Sequence, residues 1–364
     1  MPTSLIGKAK SELDTPALLI DLDLFEKNIA HLAQFCQSHG KSWRPHSKAH
    51  KSPAIAHLLQ KAGASGITCA KLSEAELMVD HGVDHILIAN QIVTPAKLCR
   101  LAALQRQAQV LVTLDNLQMV EPMDQAARSE GVQIPVLIDI DIGMDRTGTA
   151  PGEPVLELAR AIVAAEGLDF KGLMGYEGHV LDLEPPEEKV RVCHQSLGLL
   201  LSSRDLLEKN DIGVEIISAG GTGCYHITAA YPGITEIQAG GGIFMDPMYR
   251  ETCSIEELDF ALTVLATVTS RHPLHAVLDA GFKTMSPNPQ PRLLNRDDLV
   301  LRYLSAEHGV WDLKDGCDGP QIGEQIELLM GYTDSTNFLH ERFIGLRNGA
   351  VETVWEIAAR GKLQ

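Results

Sequence analysis

The stretch Glu215-Ile216-Ile217-Ser218-Ala219-Gly220-Gly221-Thr222-Gly223 runs from a short apolar, β-branched segment straight into a glycine turn, and Glu236-Ile237-Gln238-Ala239-Gly240-Gly241-Gly242 repeats that order shortly afterwards. Short apolar runs closed by turn signals and separated by stretches of helical period are the mark of parallel strands with crossover helices. Working outward from this pair, the same reading picks out 43–48, 66–69, 86–89, 111–113, 135–140 and 172–176, which with 215–218 and 236–239 make eight strands. Amphipathic stretches at 24–37, 53–61, 73–81, 95–105, 117–130 and 154–165 lie between them, several opened by proline in the first turn. Eight β-α repeats over about 200 residues are what an α/β fold of the parallel (β/α)8 TIM-barrel type requires. A doubly wound sheet is the structural rival, which strand counting alone does not exclude.

After residue 251 the pattern changes to alternating or β-branched runs at 262–270, 275–278, 299–304, 325–330, 342–346 and 351–357, punctuated by Pro287-Asn288-Pro289, Lys314-Asp315-Gly316 and Asn348-Gly349. This predicts a barrel over 25–252 followed by a mostly antiparallel β domain over 253–364. The strand-like 17–22 precedes the first barrel helix, so residues 1–24 can add a strand to the β domain. Over 364 residues, 31 Lys+Arg against 48 Asp+Glu give a net charge of −17, which argues against a nucleic-acid or anionic-membrane partner. At 45% hydrophobic and 22% charged the chain has the material for a large core. Its seven cysteines are odd in number, scattered and free of any C-x-x-C pair, so reduced thiols in a cytoplasmic protein are expected, rather than a disulfide framework or zinc cluster. Neither a signal-peptide pattern nor an apolar run of the ~18 residues needed for a membrane span is found.

Barrel chemistry belongs at the C-terminal ends of the strands. The first strand closes in Arg44-Pro45-His46-Ser47-Lys48-Ala49-His50-Lys51, where Lys48 is expected at the strand end, facing the barrel mouth. A partly desolvated lysine loses its proton and attacks a carbonyl as an amine. The glycine clusters after strands seven and eight offer backbone N–H groups to an anion, in the two loops where such barrels often hold phosphate. A carbonyl-reactive lysine plus a phosphate cradle points to pyridoxal 5′-phosphate held as an imine. A lysine-imine sugar-phosphate aldolase is the rival, but it does not need a long β domain.

Asp14-Thr15-Pro16-Ala17, Arg44 to Lys51, Gly143-Met144-Asp145-Arg146-Thr147-Gly148, Gly220-Gly221-Thr222-Gly223, Glu236-Ile237-Gln238-Ala239-Gly240 and Ser305-Ala306-Glu307-His308-Gly309 resemble the D-threonine aldolase and D-serine dehydratase family, fold-type III pyridoxal-phosphate enzymes related to alanine racemase. The resemblance runs in order over nearly the whole chain. It implies that Lys48 carries the cofactor, that Arg146 lies beside it, that Tyr176 lies near its ring, and that Gly221, Thr222, Gly223, Gly240 and Gly241 hold its phosphate. Lys48, Tyr176 and His179 are then the candidate catalytic residues. It also implies a homodimer in which one chain's β domain covers the other's barrel mouth.

Relatives of this kind take a divalent metal on a His-x-Cys or His-x-Asp pair. Here Gly331-Tyr332-Thr333-Asp334 keeps the aspartate, with Tyr332 in the histidine's place, and Asp182 stands where aldolases have a further histidine. A neutral phenol is a poor ligand for Mg²⁺, Mn²⁺ or Zn²⁺. Asp334 is thus expected to hold a metal weakly, with the Tyr332 hydroxyl bonding a substrate oxygen instead. The expected activity is lyase chemistry on a small D-amino acid, foremost aldol cleavage of a D-3-hydroxy amino acid to glycine and an aldehyde. Dehydration, racemisation and a non-catalytic pyridoxal-phosphate homeostasis role are the alternatives.

Overall fold

The computed structural model describes residues 5–364. The chain forms two compact units: one takes the chain up to His31, Ala49–Ile55 and Gly241–Gly361, the other Leu32–Lys48, Ala56–Gly240 and Lys362–Gln364. β1 (Ala17–Asp21) belongs to the first unit, and the eight-stranded sheet of the second is built from β2 (Ser42–Trp43), β3 (Ile67–Cys69), β4 (Ile86–Gln91), β5 (Val110–Leu114), β6 (Ile134–Asp139), β7 (Leu168–Met174), β8 (Ile216–Ala219) and β9 (Glu236–Ile237). Every pairing in it is parallel, in the order β2-β9-β8-β7-β6-β5-β4-β3. A further parallel bridge from His46 to Thr68 joins the two ends, so the sheet closes into a barrel. The expected α/β barrel followed along the chain by a β domain is the architecture found.

Helix α1 (Leu22–Ser38) lies between β1 and β2 in the chain, and α2 (Pro53–Lys61), α3 (Leu72–Asp80), α4 (Pro95–Leu104), α5 (Val120–Glu130), α6 (Glu153–Ala164), α7 (Pro186–Glu208) and α8 (Tyr225–Ala230) make the crossovers from β2 to β9. Proline stands in the first turn of α4, α6 and α7, where its missing N–H is not needed. Gly131 ends α5 in the left-handed conformation at φ 65°. Because helices cover a parallel sheet, its strands read as continuous apolar runs; β5 and β6 are buried at every position. Among the described residues no helix is long and apolar enough to cross a membrane, and all seven cysteines are free.

The other unit is a nine-stranded sheet of β1 with β10 (Leu262–His272), β11 (His275–Leu278), β12 (Arg292–Leu293), β13 (Leu299–Leu304), β14 (Gly309–Leu313), β15 (Gln325–Leu329), β16 (Arg342–Arg347) and β17 (Ala350–Glu356). All its pairings are antiparallel except β1 with β16. β1 sits between β10 and β16, and Leu13, Ala17, Leu19, Leu265, Ile344 and Val351 pack into one apolar cluster. A short helix, α9 (Asp334–Asn337), follows β15. The sequence reading did not separate out β12, β14 and α7. Two expected strand ends also move. β2 is regular only to Trp43, and Lys48 lies in the tight turn Ser47–Ala49 beyond it; β7 ends at Met174, two residues before Tyr176.

The barrel seam contains a charge pair. Arg44 and Glu236 are both buried, Arg44 Nε donating to Glu236 at 2.8 Å and a second guanidinium nitrogen to the His85 carbonyl at 2.6 Å. Ser218 Oγ donates to the other Glu236 oxygen at 2.8 Å, and Gln238 donates to Ser218 Oγ at 2.9 Å. Desolvating two charges is offset only when their lone pairs and protons are matched in this way. Truncating one partner strands the other, so Glu236→Ala is expected to lose about 3–5 kcal/mol of unfolding free energy. Urea denaturation measures this, and a loss below about 1 kcal/mol, the value of an exposed pair, would contradict the role given to the seam.

Candidate active site

The turn that carries Lys48 is held from its flanks. Ser47 Oγ lies 2.7 Å from Glu74 Oε1 and 2.9 Å from the Thr68 carbonyl, and the other Glu74 oxygen accepts the Ala70 N–H at 3.1 Å. Ser47 and Glu74 are fully buried. The Lys48 N–H donates to His46 Nδ1 at 3.2 Å, and the Lys48 side chain is half-buried. The bridge to Thr68 brings the backbone of His46 so close to Gly240 that a Cβ there would lie 2.6 Å from the His46 nitrogen. Glycine at 240 is therefore required by a backbone-to-backbone approach two residues from Lys48.

The loops after β7 and β8 interlock in the same manner. Tyr176 packs its ring on Gly221, where a Cβ would meet it at 3.0 Å, and the Arg146 guanidinium stands over that ring, 5.5 Å from its centroid. Arg146, Tyr176 and Gly221 are thus brought together. Among the described residues the N–H groups of Gly221, Gly223 and Gly240 meet no protein acceptor, and neither does that of Gly241, the next residue of the chain and part of the other unit. Gly223, Gly240 and Gly241 are buried. Buried amide donors without partners are rare and mark a place for an acceptor that the chain itself does not supply. Thr222 is buried between two of them. Within the barrel unit, the donors Gly221, Gly223 and Gly240 fit a phosphate group.

His179 is half-buried with Nε2 3.1 Å from Ser196 Oγ, while its buried Nδ1 has no hydrogen-bond partner among the described residues. Gly143, at φ 119°, lies against the imidazole, 2.8 Å from where a Cβ would be. Gly143 belongs to the 141–149 loop, which Asp141 organises by accepting the N–H groups of Gly143 and Asp145 at 3.0 and 3.1 Å. Asp182 is exposed.

Two acidic residues of this unit were not among the sequence candidates. Asp139 ends β6, buried, and accepts from Gln91 and Thr147 at 2.9 Å each. Burial outweighs these bonds and pushes its carboxyl up to about 6. Glu177, fully buried, accepts the Gly220 N–H at 3.2 Å and also bonds Thr228 Oγ. An acid directly beyond an apolar strand was the available signal for each, but such residues are far more often solvated loop positions.

In the β unit, the Tyr332 hydroxyl donates to Asp334 Oδ2 at 2.8 Å. Burial and the adjacent Asp334 push this phenol far above its ordinary value, so it stays protonated. The hydroxyl expected to be open to a substrate oxygen is thus committed to the neighbouring carboxylate. Buried Asp246 accepts the Thr333 N–H and hydroxyl, both at 2.9 Å, and so holds the loop between the two. Among the described residues no three His, Cys, Asp or Glu side chains are grouped to hold a metal. A protonated phenol and a carboxylate already accepting from it do not fit a divalent cation.

Residues 20–247 match the family description "Alanine racemase, N-terminal domain" and residues 261–346 match "Putative serine dehydratase domain". The chain is 37% identical to a D-threonine aldolase of Arthrobacter sp, over 99% of this chain and 96% of that one. It is 35% identical to a 3-hydroxy-D-aspartate aldolase of Paracoccus denitrificans, over 99% and 95%. The crystal structure of a D-threonine aldolase from Filomicrobium marinum superposes with a TM-score of 0.96 at 33% identity, covering 99% of this chain and 100% of that one.

Two expectations follow. With its carboxyl raised from 3.8 to about 6, folded Asp139 holds a proton that the unfolded chain releases in that window, so its contribution is complete below about pH 4 and lost as the pH rises through 6. Asp139→Asn lacks that loss. Its stability relative to the unaltered protein is therefore expected to rise between about pH 4 and about pH 6 and to level off above that, by at most about 1.4 kcal/mol per pH unit, and parallel denaturation profiles would contradict this. Second, EDTA is expected to leave most of the turnover intact, and Tyr332→His to create a response to Mn²⁺. Complete inactivation of the unaltered protein, reversed by stoichiometric metal, would show a tight site that the Tyr332–Asp334 bond argues against.

Proposed function

Because the chain belongs to the family that joins an alanine racemase N-terminal domain to a putative serine dehydratase domain, we propose that it is a pyridoxal-phosphate-dependent lyase that cleaves D-3-hydroxy amino acids to glycine and an aldehyde. The observation that carries the cofactor assignment is the set of buried, unpartnered N–H groups in the glycine loops. The substrate class is supported by the D-threonine and 3-hydroxy-D-aspartate aldolases that match this chain nearly end to end. Gly221, Thr222, Gly223, Gly240 and Gly241 would hold the phosphate, Lys48 the aldehyde carbon, and Tyr176 with Arg146 would flank the ring. When bound, the cofactor supplies an electron sink for the pair left at Cα.

The chain's own part is to hold the substrate and move one proton. Arg146 is exposed, stacked on Tyr176 and engaged in no ion pair among the described residues, so its donor fork is open to the substrate carboxylate. His179 takes the β-hydroxyl proton. With Ser196 accepting from Nε2–H, the Nδ1 lone pair is left uncommitted. As the O–H proton passes to that nitrogen, the Cα–Cβ electron pair stays on Cα and the β-carbon leaves as the aldehyde carbonyl carbon; a proton returned to Cα gives glycine. The Tyr176–Gly221 packing and the Arg146 stack on Tyr176 support this reading, because a cleavage that needs alignment gains from groups held in place.

Borohydride treatment of the yellow protein is expected to fix the cofactor on the peptide containing Lys48. Attachment at Lys51 or Lys71, or none, would overturn the assignment. D-Threonine and 3-hydroxy-D-aspartate should yield glycine and an aldehyde, whereas release of ammonia and a keto acid would make the protein a dehydratase. His179→Gln is expected to keep the imine absorbance while cleavage falls about 10²–10⁴-fold, the usual cost of losing a general base.

A further inference from the structure

Glu177 is fully buried beside the glycine turn, yet it reaches no reacting group in the scheme above. Its two oxygens go to opposite ends of one short segment. Oε2 accepts the N–H of Gly220, at the start of the turn, at 3.2 Å. Oε1 meets the hydroxyl of buried Thr228, and that same hydroxyl lies 3.2 Å from the carbonyl of Cys224, at the turn's end. A hydroxyl has one proton to give. Thr228 shares that proton between Glu177 Oε1 and the Cys224 carbonyl. Burial pushes this carboxyl upward, while the donors Thr228, Gly220 and Cys224 pull it down.

The space around the segment leaves it little freedom. Gly220 has φ 78°, and a Cβ there would press on Thr228 at 3.2 Å. Tyr176, the preceding residue, presses on Gly221 from the other side. Consecutive residues of the loop after β7 thus grip consecutive residues of the loop after β8, and the N–H groups of Gly221 and Gly223 are held between the two anchored ends.

We propose that Glu177 is a positioning residue for phosphate recognition: as a staple across Gly220 to Cys224, it holds the turn's free N–H groups in the arrangement that accepts a phosphate dianion. The inference rests on the reading that this turn binds the phosphate of pyridoxal 5′-phosphate. Glutamine keeps an acceptor for the Gly220 N–H, and its amide can donate to Thr228 Oγ, whose proton then goes to the Cys224 carbonyl, so glutamine should replace glutamate. Alanine should not, because it leaves the Gly220 N–H and the Thr228 hydroxyl without their partner.

The test compares pyridoxal 5′-phosphate with pyridoxal, which lacks the phosphate, by titrating each into cofactor-stripped protein and following the imine absorbance. The unaltered protein is expected to prefer the phosphorylated form strongly. Glu177→Ala should reduce that preference at least about tenfold, the equivalent of one hydrogen-bond-sized loss of about 1.4 kcal/mol, while pyridoxal binding stays within about twofold. Glu177→Gln should restore the preference, and Thr228→Val should lower it in the same direction. If the unaltered protein shows no preference, the reading of the turn as a phosphate site fails. If it prefers the phosphorylated form but Glu177→Ala keeps that preference, the staple alone fails. Should Glu177→Ala not fold, Thr228→Val with an undiminished preference overturns the proposal equally.

Discussion

The ring closes at a place where two backbones must nearly touch. β2 is only two residues long, and what carries the chain across the seam is its extension to His46, paired with Thr68 on one side and pressed against Gly240 on the other. A side chain at 240 would drive into the His46 peptide and open the barrel at the point where the lysine turn leaves it. Because the turn starts from that contact and is then held by Ser47 and buried Glu74, the position of Lys48 is inherited from closure of the sheet. The extended reach of a lysine makes it poor at fixing its own position; the scaffold does this for it.

The same barrel shows why acids inside a protein need separate accounts. Glu236 is matched by Arg44 and a hydroxyl, which makes an ion pair of it. Asp139 and Glu177 are matched mainly by neutral donors, and both carboxyls are pushed upward. Burial alone would push every one of these carboxyls upward; a partner charge such as Arg44 opposes that push far more strongly than neutral donors do.

In the β unit a single side chain changes the chemistry of a pair. Histidine at 332 would offer a lone pair to a cation; Tyr332 offers a proton, and Asp334 takes it. The hydroxyl is committed to one Asp334 oxygen, and buried Asp246 holds the loop between the two residues through Thr333.

The alternation of short apolar runs with helical periods was enough to define a parallel sheet covered by helices, because such strands leave a pattern within each run of sequence; that the sheet closes instead of staying open and doubly wound is decided by the His46–Thr68 bridge. The glycine clusters were legible for a related reason: residues that a close backbone approach demands, such as Gly240, stand out locally. The edges of that reading failed where pairing is irregular, at the end of β2 and at Tyr176, since the last strand residues are set by neighbours distant in sequence. Glu177, Asp139 and Glu74 were beyond it altogether. Whether an acid after a strand is solvated or buried, and whether its partner is an arginine or a peptide N–H, depends on segments such as Gly220 and Thr228, some 40–50 residues away. That pairing exists only once the sheet has closed.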